Sequence, residues 1–339
     1  MNYSIENVFE PLRRELHASV ESRVIVAPAF SNGLLKRMRI AFHAWCHQGD
    51  INHVTGDINF IALAMDGKRT ILTNHDCGCI LRSKGLKRWL MRMIWLKLPV
   101  NRVAAVTTVS NHSKEEIVRL TRCPPEKIHV IPNPVQPQFK PLSRPFNAER
   151  PRILHVGTAP HKNLAGLISA LAGMTCTLVI IGPINDDIRR QLQEARVDYE
   201  NHVCLPVEEV ARQYEQSDLV VFASLYEGFG LPIIETQAVG RPLVTSNRPP
   251  MSDVAGGGAC LVDPGDAKSI RAGIERIVND AAFRSELIQR GFENIQRFRP
   301  ERIAQQYLAL YQKVFDEANC SQDAKRRLHG LKRLLSSSG

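Results

Sequence analysis

The chain has 339 residues, of which 44% are hydrophobic and 23% charged; that balance excludes a disordered chain and leaves room for two domains with a core each. The formal charge of +10 at pH 7 points to an acidic partner, whether a phosphate-bearing substrate, an anionic membrane surface or nucleic acid. No run approaches the about 18 apolar residues of a membrane span. The N-terminus lacks a signal-peptide core, and the eight cysteines are scattered without Cys-x-x-Cys spacing, so a cytoplasmic protein with reduced thiols, no metal and no cofactor is expected.

In the first half, strands are expected at 23–27, 60–64, 70–74 and 103–109, with helical patterns between them. The first leads into Ala27-Pro28-Ala29-Phe30-Ser31-Asn32-Gly33. Two polar landmarks follow, Asn52-His53-Val54-Thr55-Gly56 and Leu72-Thr73-Asn74-His75-Asp76. For His75 the alternative to a functional role is a buried histidine capping a strand end. From Cys77 to Lys114 there is no Asp or Glu, whereas Arg82, Lys84, Lys87, Arg88, Arg92, Lys97, Arg102 and Lys114 are present. Within this stretch Leu86, Trp89, Leu90, Met93 and Leu96 recur at helical spacing. A basic amphipathic helix over 82–97 is therefore expected, on an anionic membrane surface or packed with its apolar side on a sheet. The C-terminal residues 325–335 repeat the theme with Lys325, Arg326, Arg327, Lys332 and Arg333 around leucines.

Six prolines between 132 and 151 suit an interdomain connection, with the boundary near 145. Strands are then expected at 152–156, 176–181, 219–222 and 242–245. Strands alternating with helices argue for parallel sheets. After the strand at 152–156, Gly157 to His161 form a loop and Asn163 is expected to cap a helix through Leu164, Leu167, Ile168 and Leu171. Lys162 thus stands beside the carboxyl end of a strand, where open α/β sheets hold their ligands.

Residues 223–240 carry the strongest signal. Val220, Val221 and Phe222 end a buried strand, Gly228 and Gly230 let backbone approach a ligand, Pro232 suits a first helical turn and Gly240 stops that helix. Amides at the helix start favour an anion such as pyrophosphate. Glu227 and Glu235 flank this turn as acceptors for hydroxyl groups, although a glutamate in a first turn is often only a partner of the helix dipole.

This segment resembles the Glu-x7-Glu signature of the retaining glycosyltransferases of family 4. The resemblance extends through Ala238 to Asn247, Asp253 to Gly256, Val262-Asp263-Pro264, Val156-Gly157-Thr158, His161 to Leu164, Val109 to Ser113 and Val130 to Asn133, roughly residues 100 to 300. It implies an α/β protein of GT-B architecture, two Rossmann-like domains with parallel sheets facing a cleft. Residues 1–145 would form the acceptor-side domain and 146–300 the nucleotide-sugar domain, with 301–339 a C-terminal helix crossing back and ending in a basic tail. By the same resemblance Lys162, Glu227 and His75 are catalytic, and Thr158, Lys162, Gly228, Phe229, Gly230, Leu231 and Glu235 bind the donor. Gly33, His53 and Asp76 belong to the acceptor side. The sequence departs from the family in having Thr158 near a position usually taken by arginine, with Arg241 and Arg248 as candidate replacements, and a single Gly33 where members often have two glycines.

The implied reaction moves a hexose, mannose first, from a nucleotide diphosphate sugar to a glycan or lipid-linked glycan. GDP-mannose is the first expected donor and a UDP-hexose the second. The enzyme would sit peripherally on the cytoplasmic face of the membrane, through 82–97 and 325–335. A nicotinamide dehydrogenase is disfavoured because Gly228-Phe229-Gly230-Leu231-Pro232-Ile233 lacks the third glycine of Gly-x-Gly-x-x-Gly. A sugar-nucleotide epimerase of similar fold is the nearer rival; a nucleic-acid binder lacks a motif, so no nucleic acid partner is expected.

Overall fold

A computed structural model describes residues 5–17 and 19–336, and side chains over 8–17 and 19–320. The chain divides into two compact units. The N-unit takes 13–131 and the chain from 304 onward; the C-unit takes 132–303 with the N-terminal residues up to 12.

Helix α1 (Ile5–Leu16) buries Val8, Leu12 and Leu16 at four-residue spacing. The N-unit contains α2 (Leu34–Cys46), β1 (Asn52–Val54), β2 (Thr70–Thr73), α3 (Gly78–Arg82), α4 (Gly85–Met91), a π-helical segment (Arg92–Lys97), α5 (Leu98–Arg102), β3 (Ala105–Thr108), α6 (Asn111–Thr121) and β4 (Ile128–Val130). Its four strands are parallel and lie in the order β1-β2-β3-β4. Ser110 starts α6 as a cap, its hydroxyl accepting from the Ser113 amide at 3.1 Å.

Three expectations for this half are corrected. Residues 23–27 form no strand; Val24 and Val26 face solvent, and the sheet begins instead at β1. An apolar run becomes a strand only where a neighbouring strand receives its hydrogen bonds. Residues Asn59–Leu63 form a 3-10 turn with Phe60, Ile61 and Ala62 all buried, and a short apolar run looks the same in either state. The helix expected over 82–97 runs without a break from Gly85 through the π segment into α5, separated from α3 by Ser83 and Lys84, but it does not pack as expected. Leu86, Trp89 and Leu90 are exposed while Leu96 is buried, so α4 does not lay that apolar side on the sheet.

The C-unit contains β5 (Arg152–Val156), α7 (Leu164–Leu171), β6 (Thr177–Ile181), α8 (Asp186–Glu194), β7 (Asp198–His202), α9 (Val207–Gln216), β8 (Leu219–Phe222), α10 (Leu231–Val239), β9 (Leu243–Ser246), α11 (Met251–Ala255), β10 (Cys260–Val262), α12 (Ala267–Asn279) and α13 (Ala281–Asn294). All six strands are parallel, ordered β10-β9-β8-β5-β6-β7. The chain starts in the middle at β5, runs outward to β7, then returns to β8 on the other side. This is the doubly wound order, with its reversal between β5 and β8. Strands buried on both faces read as continuous apolar runs, as β6 and β8 do. The proline-rich stretch 132–151 has no regular structure and packs within the C-unit, the Phe139 ring meeting Tyr214 edge-on at 5.3 Å.

Helix α14 (Pro300–Ser336) belongs to the N-unit from Ala304 onward. Tyr307, Leu310, Val314 and Ala318 form its buried stripe. The basic cluster at 325–335 lies outside the residues whose side chains are described. Among the described residues, no helix is long and apolar enough to cross a membrane.

Candidate functional site

The carboxyl ends of β5 and β8 gather the chemistry of the C-unit. Gly157 follows β5 with φ +91°, and a Cβ there would press the Lys162 side chain at 3.1–3.3 Å. The lysine stem therefore lies across this glycine. Its Nζ reaches a point 2.8 Å from Oε1 of Glu227 and 4.8 Å from the centre of the Phe222 ring. Both charged side chains are largely shielded, at 20% and 12% exposure, yet still accessible. The ion pair lies outside hydrogen-bond geometry, so Glu227 Oε1 keeps an unused acceptor direction.

Asn163 plays a different part from the cap expected of it. It adopts φ +62° and its side chain caps nothing; the amide nitrogen donates instead to the carbonyls of Ala223 at 3.1 Å and Pro264 at 2.7 Å. That tie, with the Leu225 amide donating to His161 O at 2.8 Å, fixes the loop after β5 against the end of β8.

Gly230, at φ +106°, opens α10, with Pro232 in its first turn; Gly240, at φ +78°, closes it and donates to the carbonyls of Thr236 and Gln237. Pro232 to Val239 are all buried, so the polar groups of α10 need internal partners. Glu235 has only half of what it needs. Its Oε2 accepts from the Tyr214 hydroxyl at 2.6 Å, while Oε1 has no partner. Burial pushes its carboxyl up to about 7, opposed by the Tyr214 hydrogen bond and the charge of Lys162. The hydroxyl of Ser224, just after β8, is likewise buried without a partner. A shielded cation beside buried oxygens lacking hydrogen-bond partners suits a ligand bearing both anionic oxygens and hydroxyl groups.

The remaining C-unit candidates surround this point or support it. Thr158 donates to Pro183 O at 2.6 Å, and Phe229 is buried edge-on to Phe298 at 5.7 Å. Gly228 and Leu231 are half-buried. Neither possible replacement for the missing arginine is idle: Arg241 is buried and donates to the carbonyls of Glu215 and Tyr214, and Arg248 pairs with Asp263 at 2.9 Å. Tyr214 went unnoticed in the sequence because nothing but its place in α9 distinguishes it from a core aromatic.

The N-unit candidates divide between a surface and an interior. His75 follows β2 with Nε2 3.0 Å from Thr55 O, and the exposed Asp76 accepts from the Gly78 amide at 2.6 Å. Beside them Asp57, which the sequence did not single out, has its carboxyl pushed up by burial, opposed by His75. His53 is internal. Nδ1 lies 2.7 Å from the Tyr311 hydroxyl and Nε2 2.7 Å from Thr73 Oγ1, which in turn meets Thr107. Burial, then His75, pushes the His53 imidazole down to about 3, so it stays neutral and fastens α14 to β1 and β2. Gly33, at φ +90°, opens α2, and a Cβ on it would meet nothing within 4 Å.

Comparison with known proteins identifies the family and the fold. Residues 8–139 match Glycosyltransferase Family 4 and residues 139–294 match Glycosyl transferases group 1. The O-antigen chain mannosyltransferase B of Escherichia coli is 30% identical over 271 residues, covering 72% of this chain and 70% of that protein. The O-antigen chain mannosyltransferase RfbU of Salmonella typhimurium is 31% identical over 244 residues, covering 64% and 67%. Among solved structures, sucrose-phosphate synthase from Thermosynechococcus elongatus superposes with a TM-score of 0.70 at 22% identity, covering 83% of this chain and 79% of that one. WaaG, a glycosyltransferase involved in lipopolysaccharide biosynthesis, gives 0.66 at 13% identity, covering 89% and 95%. The dehydrogenase, epimerase and nucleic-acid readings are not favoured by these matches. The chain belongs to the group 1, family 4 glycosyltransferases and has the two parallel-sheet α/β domains of their GT-B fold.

Proposed function

We propose that this glycosyltransferase moves a hexose, mannose first, from a nucleotide diphosphate sugar to a glycan or lipid-linked glycan acceptor, with retention of anomeric configuration. GDP-mannose is the first donor to test and a UDP-hexose the second. The observation that carries the reading is the pairing of Lys162 with Glu227 beside the half-satisfied Glu235, at the strand-order reversal of the C-unit. Two relatives bear the name of O-antigen mannosyltransferases, which supports mannose and a surface polysaccharide.

When the bond from the sugar to the diphosphate breaks, negative charge gathers on the leaving phosphate oxygens, and its stabilisation is the main catalytic task. Lys162 and the amides around Gly230 and Leu231 are assigned to it. An arriving diphosphate competes with Glu227 for the lysine, and the carboxylate released accepts from hexose hydroxyls. Glu235 Oε1 accepts from a ribose hydroxyl, while Thr158, Gly228 and Phe229 shape the surroundings of the donor. His75 is assigned to the transferring sugar, and Asp76 and Gly33 to the acceptor side, on the family resemblance. The enzyme works peripherally on the cytoplasmic face of a membrane.

A thermal-shift series with GDP-mannose and UDP-hexoses tests the donor, since a ligand at a hundred times its dissociation constant stabilises the native state by about 2.7 kcal/mol. Product analysis with the best donor then identifies the transferred sugar. No shift with any nucleotide diphosphate sugar would sink the proposal.

A further inference from the structure

Helix α2 carries an apolar face that the protein leaves uncovered. At 100° per residue Leu34, Leu35, Met38, Phe42 and Trp45 share an arc of about 100°. They are 73%, 82%, 60%, 64% and 56% exposed, and Phe30, just before the helix, is 88% exposed. The opposite side of α2, with Ile40 and Ala44, is buried in the same core cluster as Leu96 of the π segment. Arg37 joins the two elements, its guanidinium 4.5 Å from the centre of the Trp95 ring. Near that junction α4 exposes Leu86, Trp89 and Leu90. More than half of the strongly exposed large apolar side chains among the described residues fall within 30–45 and 86–98. Concentration of this kind marks an interface.

Charge decides which interface. Residues 22–49 contain no Asp or Glu but include Arg23, Lys36, Arg37 and Arg39, and 77–114 is free of acids in the same way. The three tryptophans of the chain, Trp45, Trp89 and Trp95, all lie in these two stretches. Exposed aliphatic and aromatic side chains flanked only by cations, with amphipathic indoles among them, match the boundary between acyl chains and anionic headgroups.

We propose that this face, α2 with Phe30 and the adjoining α4, seats the enzyme on an anionic phospholipid bilayer. It rests on the peripheral-membrane part of the proposed function and names the elements that make the contact. The apolar arc of α2 inserts, and Lys36, Arg39, Lys84, Lys87 and Arg88 hold the headgroups.

Flotation with phosphatidylglycerol-rich and pure phosphatidylcholine vesicles, at low and high salt, tests this on the full-length protein. The wild type should float with the anionic vesicles, and part of the binding should survive high salt because insertion is not screened. The double variant Leu35→Glu/Phe42→Glu should bind at least tenfold more weakly at both salts, with its melting temperature and donor-induced thermal shift unchanged. Lys84→Glu/Lys87→Glu should lose only the salt-sensitive part. Wild type that ignores anionic vesicles, or a double variant that binds like wild type, overturns the proposal. So does a wild type that self-associates through this face without binding vesicles, if the double variant is monomeric. A missing donor shift with normal flotation would instead count against the transferase assignments and leave the membrane face standing.

Discussion

Two polar clusters, one in each unit, treat burial in opposite ways. At the end of β8 the C-unit leaves Ser224, Glu227 and Glu235 with oxygens that no hydrogen bond satisfies, next to an ammonium group. In the N-unit His53, Thr73, Thr107 and Tyr311 bind one another beneath α14. Leaving a buried acceptor unmade costs about 1–3 kcal/mol, so a protein that tolerates several together gains from what later fills them. The contrast separates a region assembled for a ligand from one assembled for its own integrity.

The sharpest way to break this distinction is to remove the charges. Lys162→Ala and Glu227→Ala should each lower turnover at least about a hundredfold, within the range found when a group stabilising transition-state charge is lost. Their melting temperatures should stay within a few degrees of wild type. A near-normal rate in either variant, measured with saturating donor, would remove the catalytic assignment.

How much of this was legible beforehand follows the same divide. β5, β6, β8 and β9 are apolar runs ended by glycine or polar loops, and the turn from Glu227 to Gly240 reads directly onto α10 because Gly230, Pro232 and Gly240 each have a backbone reason for their place. β7 and β10 escaped notice, one because Asp-Tyr-Glu-Asn-His at a sheet edge has no apolar signature, the other because it is only three residues long. The N-unit was harder to read. Val24 to Val26 look like a strand and are not; α2 looks like an ordinary helix yet exposes its apolar face. Contacts between residues far apart in the chain, such as Tyr214 with Glu235 or His53 with Tyr311, leave no periodic trace at all.

The glycine that opens α10 offers a test of intermediate size. At φ +106° a side chain is strained, and the new Cβ would stand 3.0 Å from Ile233 Cδ1. Gly230→Ala should cost about 2 kcal/mol of stability by denaturant titration. It should also weaken donor binding, whereas Gly33→Ala, with nothing near its Cβ, should pay only for backbone strain and leave the donor shift intact. Equal effects on donor binding would erase the difference between the units.

Acidity separates them next. Glu235 titrates near 7 in the folded protein against 4.5 for the ordinary side chain, so its contribution to stability is complete below about 4.5 and is lost as the pH rises through 7. His53, pushed down by burial to about 3, works the other way: the unfolded chain takes up protons below 6.5 that the folded one refuses, and stability falls with the pH. Glu235→Gln removes the first effect and leaves the second. Stability of the wild type relative to this variant should therefore rise by about 2–3 kcal/mol between pH 8 and pH 5. A difference that stays flat across that range would show that Glu235 is not buried as an acid.

The smallest effect discriminates most cleanly, because two tyrosine hydroxyls do the same physical job in different company. Tyr214 donates to Glu235 in the C-unit, and Tyr311 pairs with His53 in the N-unit, at 2.6 and 2.7 Å. Replacing either by phenylalanine deletes one buried hydrogen bond, so each variant should lose about 1 kcal/mol of stability. Function should split them. Without its hydroxyl, Glu235 loses the bond that favours its charged form and fixes its orientation, so Tyr214→Phe should raise the KM for donor severalfold, more at pH 6 than at pH 8, where the carboxyl is ionised in either case. Tyr311→Phe should leave the KM for donor unchanged at both pH values, since the hydroxyl it removes ties the imidazole to α14 and not to the Lys162–Glu227 pair. If both variants shift the KM equally, the polar network of the N-unit serves catalysis too, and the division between a ligand-directed and a self-directed interior fails.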